Sequence, residues 1–503
     1  MSIRSLPRNE WSLLLLIATV RFALHLLLDG QYGFHRDELQ VLDDARHLAW
    51  GYVPYPPLTP FFAAIDLTLF GDSPTGFRVF AALTQCVAMV LAGSIAREFG
   101  GGRAAQLLAA LASMAMPFSL LAASQLEYVA PDLLWWVLLA WLLLRLINSG
   151  DSRWWLAIGG VIGLGMLTRY TIGACAVAIV VGVVVTPLRR ELRSPWLWAG
   201  VVASLLVFVP NLLWQAQHDF VYLEFMRHIH ERDIRWGRTS GYFPEQLFGN
   251  ASVVTLPLWL GGLWFVLRAR DDARQRIVAC MYLVPLLLFA LARGRGYYMA
   301  PAYPMLLAAG AVAFERILDR RSARVVTAMR ATAWSLIALA IVTSAAVALP
   351  LAPVNSSGWR LSRAVHDNFA EQIGWPEFVE QVAGIYRALP DSERPLTGIL
   401  ASNYGEAGAI DFYGPALGLP AALSGVNTYW YRGYGDPPPQ TLIVLGADPD
   451  DIAKAPATCA LAGTVTNRFG VENEETRNNP QIFVCRDLRR PWPELWKRLR
   501  GFG

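Results

Sequence analysis

The sequence predicts a polytopic α-helical membrane protein that carries a small α/β domain in its C-terminal part. Of its 503 residues, 54% are hydrophobic and only 16% are charged, and the mean hydropathy is +0.36. Soluble proteins carry about 25% charged residues. Apolar runs recur through residue 353, and the chain beyond that point returns to the composition of a soluble domain. We therefore expect a transmembrane region over 1–353 and a soluble α/β domain over 354–503, in which "TGILAS", "TLIVLG" and "QIFVCRDL" are predicted to form strands.

About eleven windows of the chain are apolar enough to cross a bilayer, which takes about 20 residues per helix. In chain order they are 11–29, 76–96, 104–122, 128–146, 154–168, 170–187, 196–213, 247–267, 277–292, 297–314 and 331–352. The first window is too long, and too closely followed by others, to be a cleaved signal peptide.

The arginines indicate the orientation, because cytoplasmic loops of membrane proteins carry an excess of basic residues. With a cytoplasmic N-terminus, eighteen arginines fall on the inner side, Arg4, Arg8 and Arg270 among them, and ten fall on the outer side before the tail. We expect a plasma (inner) membrane protein whose C-terminal domain is periplasmic or extracellular. This topology places the loops 30–75 and 214–246 on the outer face, together with the tail.

The outer loop 30–75 is unusually charged for its position between two apolar windows. Apolar residues recur at helical spacing in it, namely Leu39, Leu42, Ala45 and Ala49. This pattern predicts an amphipathic helix at the membrane surface. Asp37 is its expected N-cap and Glu38 lies in its first turn, where carboxylates suit the helix dipole. The functional alternative is that one of these two carboxylates acts as a general base.

Two further carboxylates, Glu127 and Asp132, lie at the outer end of the fourth window in "SQLEYVAPDLLWW". Ionisable groups at that depth are expensive unless they pair or face a cavity, so both are candidate site residues. The alternative is solvation at a helix end.

Four arginines fall on the outer side, against the general excess of arginines on the cytoplasmic side. They are Arg78, Arg169, Arg293 and Arg295, the last two close to Tyr298. A guanidinium fork binds phosphate through two hydrogen bonds, and four of them on one rim would suit a lipid phosphate. The alternative is that they reach the interface or pair with the outer carboxylates.

Other chemistries are weakly supported. The sequence has no P-loop and no dinucleotide-binding glycine fingerprint, and in "HIHERD" the two histidines diverge on a helix. A divalent ion beside Asp37 stays open, as does a disulfide between Cys459 and Cys485. The net charge of +4 is small and predicts no nucleic-acid partner.

Several motifs carry a resemblance across nearly the whole chain. They are "HRDEL", "ARHLAWGYVPYPPLTP", "SQLEYVAPDLLWW", "LTRYT", "GYYMAPAYPMLLAAGAVAFE" and "NYGEAGAIDFYGP". In order and spacing they resemble the bacterial glycosyltransferase family 39 group. These are GT-C membrane enzymes related to the protein O-mannosyltransferases and to the lipid A aminoarabinose transferase.

The resemblance implies roles for individual residues. Asp37 matches the acidic residue of the first outer loop, with Glu38 as its partner, and Asp132 matches the acidic position at the start of the fourth span. Arg169 stands where relatives often have lysine, and Arg295 with Tyr298 matches a basic-aromatic stretch near the carrier phosphate. Pro54 and Tyr55 depart from the pattern, because relatives often carry aspartate there followed by histidine, glutamine or lysine.

The resemblance also implies the reaction. Such enzymes transfer a sugar, with inversion, from a polyprenyl-phosphate carrier to an acceptor on the outer face. The expected partners are this donor, membrane lipids, and a lipid, glycan or protein acceptor. A phosphate leaving group needs fixed cations rather than a general acid, and the acceptor hydroxyl needs a base. The rival hypothesis is a transporter of a polyprenyl lipid or a solute, which predicts inverted repeats and broken helices at mid-membrane.

Overall fold

A computed structural model describes residues 10–268, 272–454 and 457–503 of the chain. Arg4, Arg8 and Arg270, which contribute to the predicted orientation, lie outside the described residues.

The first part of the chain is helical throughout. Its helices are α1 (Trp11–Leu28), α2 (Arg36–Arg46), α3 (Leu58–Phe70), α4 (Pro74–Phe77), α5 (Val79–Glu98), α6 (Arg103–Met114), α7 (Pro117–Ala123), α8 (Val129–Ser149), α9 (Trp154–Met166), α10 (Ile172–Val185), α11 (Pro195–Gln217), α12 (Val221–Arg235), α13 (Tyr242–Phe248), α14 (Leu256–Arg268), α15 (Ala273–Leu291), α16 (Tyr303–Leu318) and α17 (Ala323–Ala348).

Among the described residues, seven helices are long and apolar enough to cross a membrane, and the number rises to ten if each of three bent helix pairs is one span. The predicted count of about eleven is therefore not confirmed. The fifth predicted window contains α9, which has only 13 residues. At 1.5 Å per residue this helix covers about 20 Å of a hydrocarbon layer about 30 Å thick.

The outer loop 30–75 contains the helix α3, which the sequence did not predict. The segment "YVPYPPLTP" bends over residues 53–55, and α3 begins at Leu58 and accommodates Pro60 in its first turn. Proline is compatible with that position because the first backbone amides of a helix have no intrahelical acceptor.

The helices are arranged around a buried centre with a lipid-facing periphery. Most side chains of α5, α8 and α16 are buried, whereas α1, α11 and α17 expose most of theirs. The exposed residues are large and apolar, for example Leu27 on α1, Leu206 on α11 and Val342 on α17. Surfaces of this kind are stable when hydrocarbon rather than water is the solvent.

At the ends of the helices opposite to the outer loops, a polar network joins the predicted cytoplasmic segments. Glu98 on α5 accepts hydrogen bonds from Arg145 and Asn148 at the end of α8. Arg274 on α15 donates to the Glu98 carbonyl at 3.1 Å. These segments therefore lie on one side of the molecule, as the alternation of the predicted spans requires.

The C-terminal part is a small domain built on a five-stranded sheet. Its elements are α18 (Ser357–Val365), α19 (Trp375–Ala388), β1 (Thr397–Ala401), α20 (Tyr404–Tyr413), β2 (Ala422–Ser424), β3 (Thr441–Leu445), α21 (Pro449–Ala453), β4 (Thr458–Thr464), α22 (Glu474–Arg477), β5 (Gln481–Arg486) and α23 (Trp492–Leu499). The strand order is β2-β1-β3-β5-β4, with β1, β2 and β3 parallel and the other pairs antiparallel. The strands expected from "TGILAS", "TLIVLG" and "QIFVCRDL" are confirmed, and the shorter β2 and the exposed β4 were not predicted.

The question of the two tail cysteines is answered by the sheet. Cys459 on β4 lies directly opposite Cys485 on β5, and the two form a disulfide. The bond ties the exposed edge strand to the sheet. The remaining cysteines, Cys86, Cys175 and Cys280, are free and lie on membrane helices.

The close crossing of α9 and α11 generates a prediction. A Cβ atom added to Gly159 would lie 1.9 Å from the carbonyl oxygen of Gly200, whereas one added to Gly160 would meet nothing within 4 Å. We expect Gly159→Ala to destabilise the protein by about 1–3 kcal/mol, the range found for overpacked interiors. Gly160→Ala is the matched control and should not lower the melting temperature in detergent. Equal melting temperatures for the two variants would contradict the crossing.

Candidate active site

A cavity of about 210 Å³ opens where the outer loops meet the sheet domain. It is lined by residues of α2, the α7–α8 turn, the α9–α10 turn, α12, the segment before α16 and α20. Five of the nine predicted site residues line it: Asp37, Glu127, Arg169, Arg295 and Tyr298. Segments far apart in the sequence are thus brought to one place on the predicted outer face.

The helix that carries Asp37 is capped differently from the prediction. His35, not Asp37, is the N-cap: its Nδ1 accepts the backbone N–H of Asp37 at 3.2 Å. Burial lowers the pKa of His35, which favours the neutral ring that this acceptor role needs. The Asp37 carboxylate is therefore released from capping, and its side chain is 40% exposed.

Glu38 and Arg78 are not at the cavity, although both were predicted site residues. They form a buried ion pair in which the Arg78 guanidinium donates to both carboxylate oxygens. Glu38 also accepts the backbone amides of His35 and Leu126, each at 2.9 Å. A carboxylate with all its acceptor positions filled has no capacity for proton transfer. The geometry fits a structural role for the pair, in place of the base and phosphate-binding roles expected from the sequence.

Asp37 and Glu127 form a close carboxylate pair above His35. One oxygen of each, with Nδ1 of His35, lies within 4.8 Å of the other two ligand atoms. Burial, and then the charges of Asp37 and Glu38, raise the pKa of Glu127 well above its usual range. Two adjacent carboxyl groups in a protected site do not both ionise readily. Glu127 is thus disposed to hold a proton.

This trio is the one candidate metal cluster among the described residues. His35 Nδ1 already accepts an amide hydrogen, so its lone pair is engaged. The carboxylates of Asp37 and Glu127 would be the remaining ligands, and Mg²⁺ held by one or two carboxylates completes its shell with water or substrate phosphate. No step of the chemistry proposed below passes through a metal.

Arg169 is held in a cage of tyrosine rings at the wall of the cavity. Its guanidinium carbon lies 4.9 Å from the ring centre of Tyr128, 5.2 Å from that of Tyr297 and 4.7 Å from that of Tyr298. Asp132 pairs with it at 3.4 Å from outside the cavity lining. Asp132 therefore orients Arg169. It does not line the cavity, although the sequence had suggested that it would be an acidic residue of the site.

A second cationic group in the cavity centres on Asp233 of α12. Arg295 binds this carboxylate with two nitrogens, at 2.6 and 2.5 Å, and Arg232 and Arg238 lie 3.9 and 3.8 Å from it. Three guanidinium groups share one carboxylate, which leaves an excess of positive charge that an anion can satisfy. Arg232, Arg238 and their shared partner Asp233 were not predicted as site residues, although "ERDIRWGR" contains three arginines.

Arg293 does not join either cationic group. Its side chain is exposed, it adopts a left-handed backbone conformation with φ of 48°, and it is not part of the cavity lining. The left-handed residue turns the chain at the end of α15 and directs Arg295, two residues later, toward Asp233. Proximity in sequence therefore does not place both arginines at the site.

The separation of Glu38 from the cavity generates a prediction. Removing one partner of a buried ion pair costs about 3–5 kcal/mol, because the other charge stays buried. We expect Glu38→Gln to lower the melting temperature strongly, and Asp37→Asn, one residue away on a half-exposed side chain, to lower it little. Thermal unfolding in detergent, with size-exclusion profiles as a check of folding, measures both. A Glu38→Gln variant as stable as Asp37→Asn would overturn the structural role of the pair.

The sequence matches a family model described as dolichyl-phosphate-mannose-protein mannosyltransferase over residues 54–214. It is also 26% identical over 289 residues to undecaprenyl phosphate-alpha-4-amino-4-deoxy-L-arabinose arabinosyl transferase 1 of Pseudomonas fluorescens Pf-5. That alignment covers 54% of this chain and 51% of the relative. The chain thus spans about half the length of the curated relatives it matches.

Solved structures share the fold over most of the chain. ArnT from Cupriavidus metallidurans, bound to undecaprenyl phosphate, superposes with a TM-score of 0.59 at 18% identity and covers 94% of this chain and 97% of its own. The mycobacterial arabinofuranosyltransferase AftD superposes with a TM-score of 0.52 at 15% identity, over 96% of this chain and 40% of its own. At these identities the likeness establishes the fold. Together with the long apolar helices, it describes a multi-pass membrane protein with the GT-C type of fold seen in these structures.

Proposed function

We propose that the chain is an inverting glycosyltransferase that takes a sugar from a polyprenyl-phosphate carrier and transfers it to an acceptor on the outer face of the membrane. The observation that carries the proposal is the cavity itself, which is lined both by the carboxylates Asp37 and Glu127 and by the guanidinium groups of Arg169 and Arg295. The matched relatives are named as transferases with an undecaprenyl-phosphate sugar, and the superposed ArnT structure holds undecaprenyl phosphate.

The cationic and the acidic residues of the cavity suit the two halves of a displacement. The anomeric carbon–oxygen bond to the phosphate breaks, and its electron pair leaves with the polyprenyl phosphate. Arg169 is fixed by Asp132 and three aromatic rings, so it can meet the developing negative charge without reorganising. Arg295, Arg232 of α12 and the nearby Arg238 add positive charge to the cavity lining. Tyr298 also lines the cavity and contacts Arg169.

The carboxylates of the cavity act on the acceptor. In this proposal Asp37 takes the proton of the acceptor hydroxyl while its oxygen bonds to the anomeric carbon, in a single inverting step. Glu127, whose pKa is raised, stays protonated and donates a hydrogen bond to a sugar or acceptor oxygen. We assign no reacting atom to Glu38, Arg78, Asp132 or Arg293. The division of the chain into a catalytic region over 1–353 and a domain over 354–503 is retained as part of the proposal.

Replacement of Asp37 tests the base. We expect Asp37→Asn to lower the release of polyprenyl phosphate about 10²- to 10⁴-fold, the usual contribution of a general base. The assay uses protein in lipid with a panel of polyprenyl-phosphate sugars and a crude envelope acceptor fraction. Arg293→Gln, on an exposed arginine outside the cavity, is the control and should retain wild-type turnover. Full activity of Asp37→Asn would overturn the base assignment.

The same assay separates the transferase from the transporter that the sequence left as a rival. A transporter moves the intact lipid across the bilayer and releases no polyprenyl phosphate. Movement of labelled carrier across liposomes containing the protein, with no release from any donor in the panel, would overturn the proposed function.

The proposed orientation has its own test. Asp391 in the sheet domain has a side chain that is 91% exposed, and Arg193 is exposed between α10 and α11. We expect Asp391→Cys to react with a membrane-impermeant maleimide from outside intact cells, and Arg193→Cys to react only after permeabilisation. The free native cysteines lie on membrane helices and set a low background. The reverse pattern would overturn the orientation.

A further inference from the structure

The motif "NYGEAGAIDFYGP" in the sheet domain is one of those that carry the resemblance, and its second residue, Tyr404, lines the cavity. The motif forms α20, which packs directly on α2, the helix that bears Asp37. The contact is close because of glycine: a Cβ atom added to Gly408 would lie 2.6 Å from the carbonyl oxygen of Leu39. A side chain at this position would push the two helices apart.

The first residue of α20 reaches the cavity. The hydroxyl of Tyr404 donates a hydrogen bond to Oδ1 of Asp37 at 2.6 Å, and its ring lies beneath the guanidinium of Arg36, 4.9 Å away. Tyr404 lines the cavity together with Asp37 and Glu127. Burial raises the pKa of Tyr404, and the Asp37 charge acts in the same direction, so the phenol keeps its proton and stays a donor.

The start of α20 is itself firmly held. Asn403 caps the helix by accepting the amide of Glu406 at 2.9 Å, and Glu406 in return accepts the amide of Ser402 at 2.9 Å. A capping box of this kind fixes the direction in which the first residues of a helix project. Tyr404 is therefore presented to Asp37 by a rigid turn and not by a free loop.

The other oxygen of Asp37 is left for chemistry. Oδ2 lies 3.7 Å from Nδ1 of His35, whose lone pair is already engaged. With Oδ1 anchored to the tyrosine hydroxyl, rotation of the carboxylate is restricted. Oδ2 then stays available on the exposed side of the group.

We propose that Tyr404 is a positioning residue for Asp37, and that the C-terminal domain thereby completes the transferase site of the membrane region. This inference rests on the proposed function. Tyr404 exchanges no proton with the substrate: the acceptor proton goes to Oδ2 of Asp37, and the hydroxyl of Tyr404 stays bonded to Oδ1 throughout. The small domain is thus part of the catalytic unit, whatever else it contacts.

The experiment compares Tyr404→Phe with Tyr413→Phe, on the same helix. The Tyr413 hydroxyl has no hydrogen-bond partner among the contacts of the described residues. Removing the donor of a hydrogen bond to a charged group typically lowers an equilibrium or rate constant by about 10- to 100-fold. We expect Tyr404→Phe to lower kcat by that factor with the KM for the donor unchanged, and Tyr413→Phe to keep the wild-type kcat.

A double-mutant cycle distinguishes positioning from general support of the fold. If Tyr404 acts through Asp37, then Tyr404→Phe should have almost no further effect on turnover in an Asp37→Asn background. A residue that only stabilises the domain would lower activity by the same factor in both backgrounds, and that result would overturn the proposal.

A second pair of variants tests the docking without touching the tyrosine. Gly408→Ala should displace α20 from α2 and lower kcat as Tyr404→Phe does. Gly384→Ala on α19, where an added Cβ meets nothing within 4 Å, should leave kcat unchanged. If the wild-type protein is active and both Tyr404→Phe and Gly408→Ala keep the wild-type kcat, this inference alone is overturned. A wild type that releases no polyprenyl phosphate from any donor would overturn the proposed function and this inference with it.

Discussion

The geometry of the site depends on one buried ion pair, that of Glu38 with Arg78. Neither side chain has more than about one hundredth of its surface exposed, so each charge must be matched within the protein. Arg78 also donates to the carbonyl oxygens of Asp29 and Gly33, and Glu38 accepts the amides of His35 and Leu126. The pair thereby joins the end of α1, the start of α2, the start of α5 and the turn before α8. Asp37 and Glu127, each one residue from a group that this pair fixes, take their positions from it.

The rest of the site follows from what a membrane allows. Unpaired charge is expensive in hydrocarbon, so ionisable groups gather at the two ends of the helices and bind one another there. At one end Glu98 collects its partners into a closed network. At the other end the pairing is incomplete, because three guanidinium groups share Asp233 and two carboxyl groups share the space above His35. A binding site arises where the protein leaves its charges only partly satisfied.

The positions of the long apolar segments and three strands of the tail could be predicted, because hydrophobic runs determine them locally. Asp37, Glu127 and Arg169 could be placed on one face from the alternation of spans alone. Glu38 could not be separated from Asp37, since neighbours on a helix point in different directions and only the long-range contact with Arg78 decides their roles. The role of Tyr404 could not be predicted for the same reason, because 367 residues separate it from its partner Asp37. Arg293 was assigned to the site because it is close in sequence to Arg295. The left-handed turn at Arg293 separates the two side chains, so that Arg295 alone of the two lines the cavity.

The departure from the family pattern at Pro54 and Tyr55 now has a structural context. In place of the acidic and then basic or amide side chain that the resemblance implies, this chain has Pro54 in the cavity lining and Tyr55, whose hydroxyl donates to Asp44 at 2.7 Å. The hydrogen bond turns Tyr55 into the ion-paired cluster of Asp43 and Asp44 with Arg432, so its hydroxyl is not offered to a phosphate. In the proposed function, the caged Arg169 and the guanidinium groups of Arg232, Arg238 and Arg295 around Asp233 therefore meet the carrier phosphate, in place of a cation from the "PYPP" segment.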